Sequence, residues 1–372
     1  MTSVIKFNHF IYTKLLKRII FLFNSELSHE WLTLAGAFLG KFSPAKNFIS
    51  YFLRYKNKNL QQKISGIEFK NPVGLAAGFD YNAKLTQILP ALGFGFETVG
   101  TITNKPYGGN PKPRLARLPK SKSLVVNKGF KNIGIDQILK NHKKQTYEIP
   151  VGLSIGKTNS LKIATQNEAV EDILNAFEKA QKSHTKFAYY ELNISCPNLS
   201  GNVSFYPPKN LKKLLTAITE LKLKKPLFIK MPIEKTDKEI LSMLKVISFY
   251  PVNGVVFGNL QKNRNDPGLD KKEVKKYKAG NFSGKPTEKR SNELIKLAYK
   301  RYGKKLTIIG CGGIFNGKDA YKKIRLGASL VQFITGLIFE GPQLAAQINY
   351  ELSELLKKDG FNNVSEAIGA DV

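Results

Sequence analysis

The feature that most constrains the fold is a series of eight short apolar runs between residues 73 and 335. Each run has the length of a β-strand, and the stretches between runs carry apolar residues at the three- and four-residue steps of an amphipathic helix. Eight strands that alternate with helices are typical of a (β/α)₈ barrel. The predicted strands are 73–77, 97–102, 150–155, 188–194, 226–231, 253–258, 306–310 and 329–335, and helices are predicted over 169–182, 211–223, 238–249 and 293–302.

An open, doubly wound sheet is the alternative architecture for this pattern. Nucleotide-binding sheets of that kind carry a GxGxxG turn between their first strand and helix, and the first unit here has no such turn. The segment 63–372, about 310 residues by subtraction, also suits one closed barrel with insertions. We therefore predict an α/β fold with a (β/α)₈ TIM barrel over 63–372 and an N-terminal helical extension over 1–62.

The N-terminal extension has its own pattern. Apolar residues recur at helical spacing over residues 11–55, as at Leu27, Trp31, Leu34 and Phe38, and lysines interrupt them. One interpretation is a helical cap packed on the barrel. The other is an interfacial anchor, or a tunnel for an apolar ligand. Periodicity alone does not separate the two.

Composition limits the partners and the compartment. The 59 Lys and Arg residues against 28 Asp and Glu give a net charge of +31, which attracts nucleic acid, anionic lipid or phosphate- and carboxylate-bearing small molecules, or only solvates the surface. Two cysteines, Cys196 and Cys311, exclude a disulfide scaffold, and no secretory signal pattern is present. No apolar run approaches the roughly 20 residues of a spanning helix, so we expect none.

Glycine-rich and basic residues follow several predicted strands, at the end where such barrels form their active sites. Lys230 ends the fifth strand, where an unpaired ammonium requires an anionic partner such as a reduced flavin, unless it reaches solvent. The turns at 310–313 and 335–336 expose backbone N–H groups that suit a phosphate-bearing cofactor, or they only close tight turns.

The segment 193–198, Asn-Ile-Ser-Cys-Pro-Asn, is the densest polar cluster in the chain. The amides of Asn193 and Asn198 offer donors and acceptors that suit an imide- or urea-like ring. Cys196 between them is either an inert buried thiol or a general base.

Over residues 25–372 the chain resembles the dihydroorotate dehydrogenase family. The N-terminal helices, with Glu26-Leu-Ser-His29, and the closing segment resemble the membrane-associated, quinone-using class. The matching segments are NPVGLAAGFD (71–80), GFGFETVGT (93–101), GNPKPRLARLP (109–119), LNISCPN (192–198), FSGKP (282–286), IIGCGGI (308–314), GASLVQFITG (327–336) and EAIGADV (366–372).

The resemblance implies a reaction in which a base, here Cys196, removes a proton from C5 of dihydroorotate while hydride passes from C6 to N5 of FMN. A membrane quinone then reoxidises the flavin. No metal or nucleic acid is implied, and the expected location is peripheral, on the cytoplasmic side of the membrane. The implied contacts are Ala77, Gly78, Thr101, Asn193, Lys230, Gly284, Gly313 and Thr335 for FMN, Asn127, Phe130, Asn193, Asn198 and Asn259 for substrate, and His29 and Arg114 for the quinone tunnel.

The chain departs from the family pattern at several of these positions. The membrane-associated class usually has serine as its base, whereas the soluble class has cysteine. A thiol of ordinary pKa, about 8.5, is a better base near neutral pH than a hydroxyl. Tyr81 stands where the family has a lysine that contacts flavin and substrate carboxylate, and we hypothesise that Lys128, or alternatively Lys84, replaces it. Other departures are the shortened loop 127–130, Ile334 for a tyrosine, Ser154 for an asparagine, and Gly258 and Leu260 for threonines.

Three other functions fit parts of the sequence. A soluble dihydroorotate dehydrogenase in the cytoplasm would use fumarate or NAD, and the long N-terminal helical segment argues against it. A tRNA dihydrouridine synthase-like flavoenzyme would suit the positive charge, but its basic RNA-binding extension after the barrel is not evident. A basic binding protein on a barrel scaffold would bind no flavin.

Overall fold

The computed structural model describes residues 2–201 and 203–372. Its helices and strands alternate along most of the chain after an all-helical start. A π-helix spans Tyr12–Leu16, and 3₁₀ helices span Lys58–Leu60, Leu89–Leu92, Lys285–Thr287 and Val364–Ala367. The α-helices are α1 (Thr2–Ile11), α2 (Lys17–Leu22), α3 (Ser25–Leu39), α4 (Ser43–Leu53), α5 (Ile135–His142), α6 (Gln166–Lys182), α7 (Pro208–Glu220), α8 (Asp237–Ile247), α9 (Lys271–Lys275), α10 (Glu288–Tyr302), α11 (Gly317–Arg325), α12 (Thr335–Glu340) and α13 (Leu344–Lys358).

Eight parallel strands close into a barrel, and two small antiparallel sheets lie outside it. The strands are β1 (Gln62–Ile64), β2 (Ile67–Phe69), β3 (Val73–Leu75), β4 (Phe96–Ile102), β5 (Leu115–Leu118), β6 (Ser123–Val126), β7 (Val151–Ile155), β8 (Tyr189–Asn193), β9 (Leu227–Met231), β10 (Gly254–Phe257), β11 (Asn281–Phe282), β12 (Thr307–Cys311) and β13 (Leu330–Phe333). The barrel order is β10-β12-β13-β3-β4-β7-β8-β9, which confirms the predicted (β/α)₈ architecture.

Side chains alternate between the two faces of the barrel strands, as the pleat requires. One face packs against the surrounding helices. The other fills the barrel interior, where the Tyr189 ring takes the space beside Gly152, which has no side chain of its own. The interior apolar cluster consists of Phe69, Ala76, Phe96, Tyr189, Phe228, Val256, Ile309, Cys311 and Leu330. Within residues 2–201 and 203–372 the barrel interior is therefore a packed core, and a ligand cavity opens at its upper end, where the carboxyl ends of the strands lie.

The predicted helices are present, but their first residues differ from the prediction. Helix α6 begins at Gln166 rather than at 169, because Thr165 and Glu168 form a capping box that satisfies the first backbone N–H groups. Helix α7 begins at Pro208, a residue that suits the first helical turn because it has no N–H to satisfy. Apolar periodicity locates the middle of a helix, whereas the cap residues set where it begins.

The N-terminal helices have an inverted pattern of burial. Helix α3 buries four polar residues, Glu26, Ser28, His29 and Thr33, against the barrel. Its large apolar residues are exposed instead. Of the 22 large apolar side chains that are exposed in the described part of the chain, these 18 lie in the N-terminal helices and their connections: Val4, Phe7, Phe10, Leu15, Leu16, Ile19, Leu22, Phe23, Leu27, Trp31, Leu32, Leu34, Phe38, Leu39, Phe42, Phe48, Tyr51 and Phe52.

These helices are attached to the upper end of the barrel. The Tyr12 hydroxyl donates to the Ile338 carbonyl oxygen at 2.7 Å, and the rings of Phe21 and Phe339 meet edge to face. Arg117 on β5 donates to the Ser28 hydroxyl at 2.9 Å. None of the described helices is both long and apolar enough to cross a membrane.

Candidate active site

A cavity lies at the carboxyl ends of the barrel strands and continues beneath helix α3. It encloses about 1150 Å³, counting the space open to solvent. Strands β5, β6 and β11 form a small sheet over the barrel, and Leu115, Leu124 and Val126 from that sheet line the cavity. The cavity therefore has a polar end among the barrel loops and an apolar end facing the N-terminal helices.

Thirteen of the residues predicted for the site line this one cavity. Asn127 and Arg114 do not. The Asn127 side chain accepts a hydrogen bond from Asn110 at 3.0 Å, and Arg114 lies 3.4 Å from a carboxylate oxygen of Glu26. The thirteen are His29, Ala77, Gly78, Thr101, Phe130, Asn193, Cys196, Asn198, Lys230, Asn259, Gly284, Gly313 and Thr335.

Cys196 lies in the loop after β8 and lines the polar end of the cavity. Burial raises the pKa of its thiol to about 11, although the Asn198 N–H and the nearby cations Lys230 and Lys262 oppose that shift. The expectation of an ordinary thiol pKa is therefore wrong. The thiol carries its proton at neutral pH, and it becomes a base only in the minor thiolate form.

The amides around Cys196 hold one another in place. Asn193 donates to the Thr101 hydroxyl at 2.7 Å and accepts from the Ser195 hydroxyl at 3.0 Å. Asn259 donates to the Ser195 carbonyl oxygen at 3.1 Å, and Asn198 donates to the Val126 carbonyl oxygen at 3.0 Å. These hydrogen bonds order the amides before a ligand arrives. A ligand with its own donors and acceptors must then replace some of them.

Lys230 at the end of β9 places a buried ammonium in the cavity. Its side-chain nitrogen donates to the Ala77 carbonyl oxygen at 3.3 Å, and no carboxylate lies within 4.0 Å among the described residues. A buried cation with one long hydrogen bond is poorly compensated. The site therefore favours a ligand that carries or develops negative charge.

The turn at Gly312 and Gly313 follows β12 and lines the cavity. Both residues have positive φ, at 94° and 72°, and a side chain at Gly313 would overlap Glu288. Backbone N–H groups in such a turn can approach an anion closely. Thr335 begins α12, just after the neighbouring strand β13. Its hydroxyl bonds the Ser283 hydroxyl at 2.8 Å, and both residues line the cavity.

A buried carboxylate below the cavity was not identified from the sequence. Glu191 on β8 accepts a hydrogen bond from Ser154 at 2.7 Å, and Ser154 bonds Thr101 at 3.0 Å. Its other oxygen has no hydrogen-bond partner in the described chain. Asn110 was also missed, although it bonds both Asn127 and the backbone of Asn198. Glu191 lies inside an apolar strand, so no loop motif marks it.

The apolar end of the cavity meets helix α3 at His29. Nε2 of His29 lies 2.9 Å from the Phe79 carbonyl oxygen, which can only accept, so Nε2 carries the hydrogen. Burial, together with Lys128 nearby, lowers the pKa of His29 to about 3. The ring is therefore neutral, and its buried Nδ1 is an acceptor without a partner among the described residues.

The model of the family described as dihydroorotate dehydrogenase matches residues 59–356. The chain belongs to the dihydroorotate dehydrogenase family. Enzymes of this family are flavin-dependent, and the uncompensated Lys230 ammonium and the glycine turn after β12 fit such a group. No cluster of metal-ligating side chains occurs within residues 2–201 and 203–372.

Named relatives place the chain within one branch of the dihydroorotate dehydrogenase family. It is 36% identical to dihydroorotate dehydrogenase (quinone) of Trichodesmium erythraeum over 85% of this chain and 84% of that protein. It is 37% identical to the enzyme of the same name from Christiangramia forsetii over 92% and 99% of the two chains. Ligand-free DHODH of Eimeria tenella superposes with a TM-score of 0.81 at 30% identity, covering 93% and 99% of the two chains.

Proposed function

We propose that this chain oxidises dihydroorotate to orotate in pyrimidine biosynthesis, with FMN as hydride acceptor and a quinone as final electron acceptor. The observation that carries the proposal is one continuous cavity with two unlike ends. A thiol, amides and a buried ammonium line the barrel end, and apolar side chains with a neutral histidine line the other. A polar substrate and an apolar oxidant therefore have separate binding positions, one at each end of the cavity that would hold the cofactor.

At the polar end, Cys196 in its thiolate form takes the proton from C5 of the substrate. Asn193, Asn198 and Asn259 hold the ring, because their amides offer both donors and acceptors to an imide. Phe130 lines the same space and would exclude water from it once the substrate is bound. Positioning of this kind supplies a large share of the rate, since the reacting atoms must meet within about 3.5 Å.

FMN supplies a ring that accepts hydride and passes electrons on. Lys230 would stabilise the negative charge that develops on that ring, and Thr101 and Asn193 would bond its polar edge. Ala77 and Gly78 present a wall without bulky side chains. Gly284, Gly313 and Thr335 would receive the phosphate.

At the apolar end, a quinone would enter between helix α3 and the sheet over the barrel. The walls there are Leu115, Leu124, Val126 and Ile338, which suit an apolar ring and tail. His29 presents a neutral Nδ1 acceptor that can bind the hydroxyl of the reduced quinol. Arg114 stays outside the cavity wall, so a direct contact with the quinone requires that it leave Glu26.

The inverted burial of the N-terminal helices supports a peripheral membrane location, which we propose to be on the cytoplasmic side. Leu22, Trp31 and Phe48 expose 84%, 57% and 68% of their surface. A cluster of exposed apolar side chains this large is rare on a protein surrounded by water. Lysines among the same helices would attract anionic headgroups. The quinone could then pass from the bilayer into the cavity without crossing water.

The test of this function is anaerobic reduction of the purified protein by dihydroorotate, followed by reoxidation with different acceptors. We expect the flavin to lose its colour with dihydroorotate and to recover it rapidly with a ubiquinone or menaquinone analogue. If fumarate or NAD were the faster acceptor, the chain would be of the soluble class of dihydroorotate dehydrogenase, which also has cysteine as its base. A flavin that dihydroorotate does not reduce would refute the proposal.

A further inference from the structure

The wall of the cavity between its two ends carries one positive charge that no described residue neutralises. Around Tyr81 lie three cationic side chains, Lys128, Lys131 and Arg114. Two carboxylates lie among them, those of Glu26 and Glu30, so the cluster has a surplus of at least one positive charge, to which Lys112 near Glu30 adds. The neighbouring His29 is neutral and does not change the balance.

The surplus belongs to Lys128. Lys131 lies 3.4 Å from Glu26 and 3.0 Å from Glu30, and Arg114 lies 3.4 Å from Glu26. The Lys128 ammonium forms no hydrogen bond and no ion pair within residues 2–201 and 203–372. Burial lowers the pKa of Lys128 to about 8. Lys128 is partly buried, and an ammonium there without a partner is in a position that an anion would stabilise.

Tyr81 holds this ammonium at the cavity wall. The Lys128 nitrogen lies 4.5 Å from the centre of the Tyr81 ring, within the range of a cation–π contact. The ring is itself fixed, because it stacks on His29 at 5.5 Å and follows Asp80, whose carboxylate accepts the Lys84 and Leu85 N–H groups. A tyrosine here is thus a platform for a cation that comes from another loop.

The loop that carries Lys128 is tied to the substrate amides. Asn110 donates its backbone N–H to the Lys128 carbonyl oxygen at 3.3 Å, and its side chain donates to the Asn198 carbonyl oxygen at 3.0 Å. Asn198 in turn bonds the Val126 carbonyl oxygen, two residues before Lys128. Asn110 therefore links the backbone of Lys128 to the loop of the base.

We propose that the Lys128 ammonium binds the carboxylate of dihydroorotate and orotate, and that the Tyr81 ring positions it for this contact. The inference rests on the proposed function, since it assigns the anion of that substrate to this cation. Lys84, the other lysine considered for this role, is exposed and does not line the cavity. It contributes only its backbone N–H to the loop.

The experiment compares two ligands on the flavin-loaded full-length protein, orotate and uracil, which has the same ring without the carboxylate. Dissociation constants are measured by calorimetry and by the change in flavin absorbance. In Lys128→Met, orotate should bind tenfold to a hundredfold more weakly, which is about the cost of losing one charge-assisted hydrogen bond, while uracil binding stays within twofold. Lys84→Met is the matched control and should bind both ligands as the wild type does.

Two further variants protect the test against misfolding. Lys128→Arg keeps the charge and should retain most of the orotate affinity. Tyr81→Leu should weaken orotate several-fold and leave uracil unchanged, because only the support of the ammonium is lost. If Lys128→Met bound orotate and uracil equally more weakly, or bound orotate as the wild type does, this inference would be overturned and the proposed function would stand. A wild-type protein that binds no orotate would overturn the proposed function as well.

Discussion

The rate of flavin reduction by dihydroorotate should rise steeply with pH if Cys196 is the base. Burial raises the pKa of the thiol to about 11, so about one molecule in ten thousand holds the thiolate at pH 7. Each unit of pH then increases the reactive fraction tenfold until the pKa is reached. Between pH 7 and pH 9 we expect an increase of roughly a hundredfold.

The measurement is anaerobic stopped-flow mixing at substrate concentrations well below saturation, where the rate reports the ionisation of the free enzyme. Cys196→Ala should lose roughly a hundredfold to ten-thousandfold in rate at high pH, together with the pH dependence. Lys262→Gln removes one of the cations that favour the thiolate, so its rate at pH 7 should fall and its profile shift to higher pH.

Cys311→Ala serves as the control for the sulfur atom. That thiol belongs to the interior apolar cluster and lines the cavity at the end of β12, outside the loop of the base, and the variant should keep the rising profile. A flat profile between pH 7 and pH 9 in the wild type would contradict the reasoning about burial. A normal rate in Cys196→Ala would exclude this residue as the base and leave the fold and the cofactor site intact.

Three further predictions follow from the membrane surface, the glycine turn and the core. Replacing Leu22 and Trp31 by serine should abolish flotation with anionic lipid vesicles, because each replacement removes about 1.5–3 kcal/mol of the free energy gained by burying that side chain in lipid. Phe249→Ser, on the barrel surface, is the control and should float as the wild type does. Gly313→Ala should yield protein with little flavin, seen in its absorbance, since φ is 72° and a side chain there has no space. Lys323 is fully buried, which lowers its pKa to about 8, below its unfolded value. Its charged form therefore destabilises the fold below pH 8. The free energy of unfolding, measured with urea, should rise between pH 8 and pH 10 by up to about 3 kcal/mol more in the wild type than in Lys323→Met. Parallel pH profiles for the two proteins would contradict this.

The barrel could be predicted because its strands are buried on both faces. Such strands appear in the sequence as continuous apolar runs, and the helices between them show a clear three- and four-residue period. The convergence of Asn193, Lys230 and Gly313 followed from the same pattern, since residues after parallel strands meet at one end of the barrel. The positions of Asn127 and Arg114 did not follow, because both lie in the sheet over the barrel and its loops, which the strand pattern does not include.

The N-terminal helices show what periodicity leaves open. An apolar stripe at helical spacing looks the same in a sequence whether it faces a protein core or a lipid surface. The packing of α3 shows which of its faces meets the barrel, because the helix buries Glu26 and His29 and exposes Trp31 and Phe38. The polar residues between the apolar positions, which resemble a solvated face in the sequence, are the ones that contact the barrel.

The pKa of Cys196 and the free charge on Lys128 have a common cause that no motif encodes. Both groups sit in a cavity assembled from segments far apart in the chain, and the removal of water raises the pKa of the acid and lowers that of the base. A substrate that carries a carboxylate and loses a proton fits both shifts. Its carboxylate would pair with the Lys128 ammonium and so raise the pKa of that side chain. Above pH 8, orotate binding would require Lys128 to take up a proton. The wild-type affinity for orotate should therefore fall about fivefold between pH 8 and pH 9, whereas that of Lys128→Met should not change over this range.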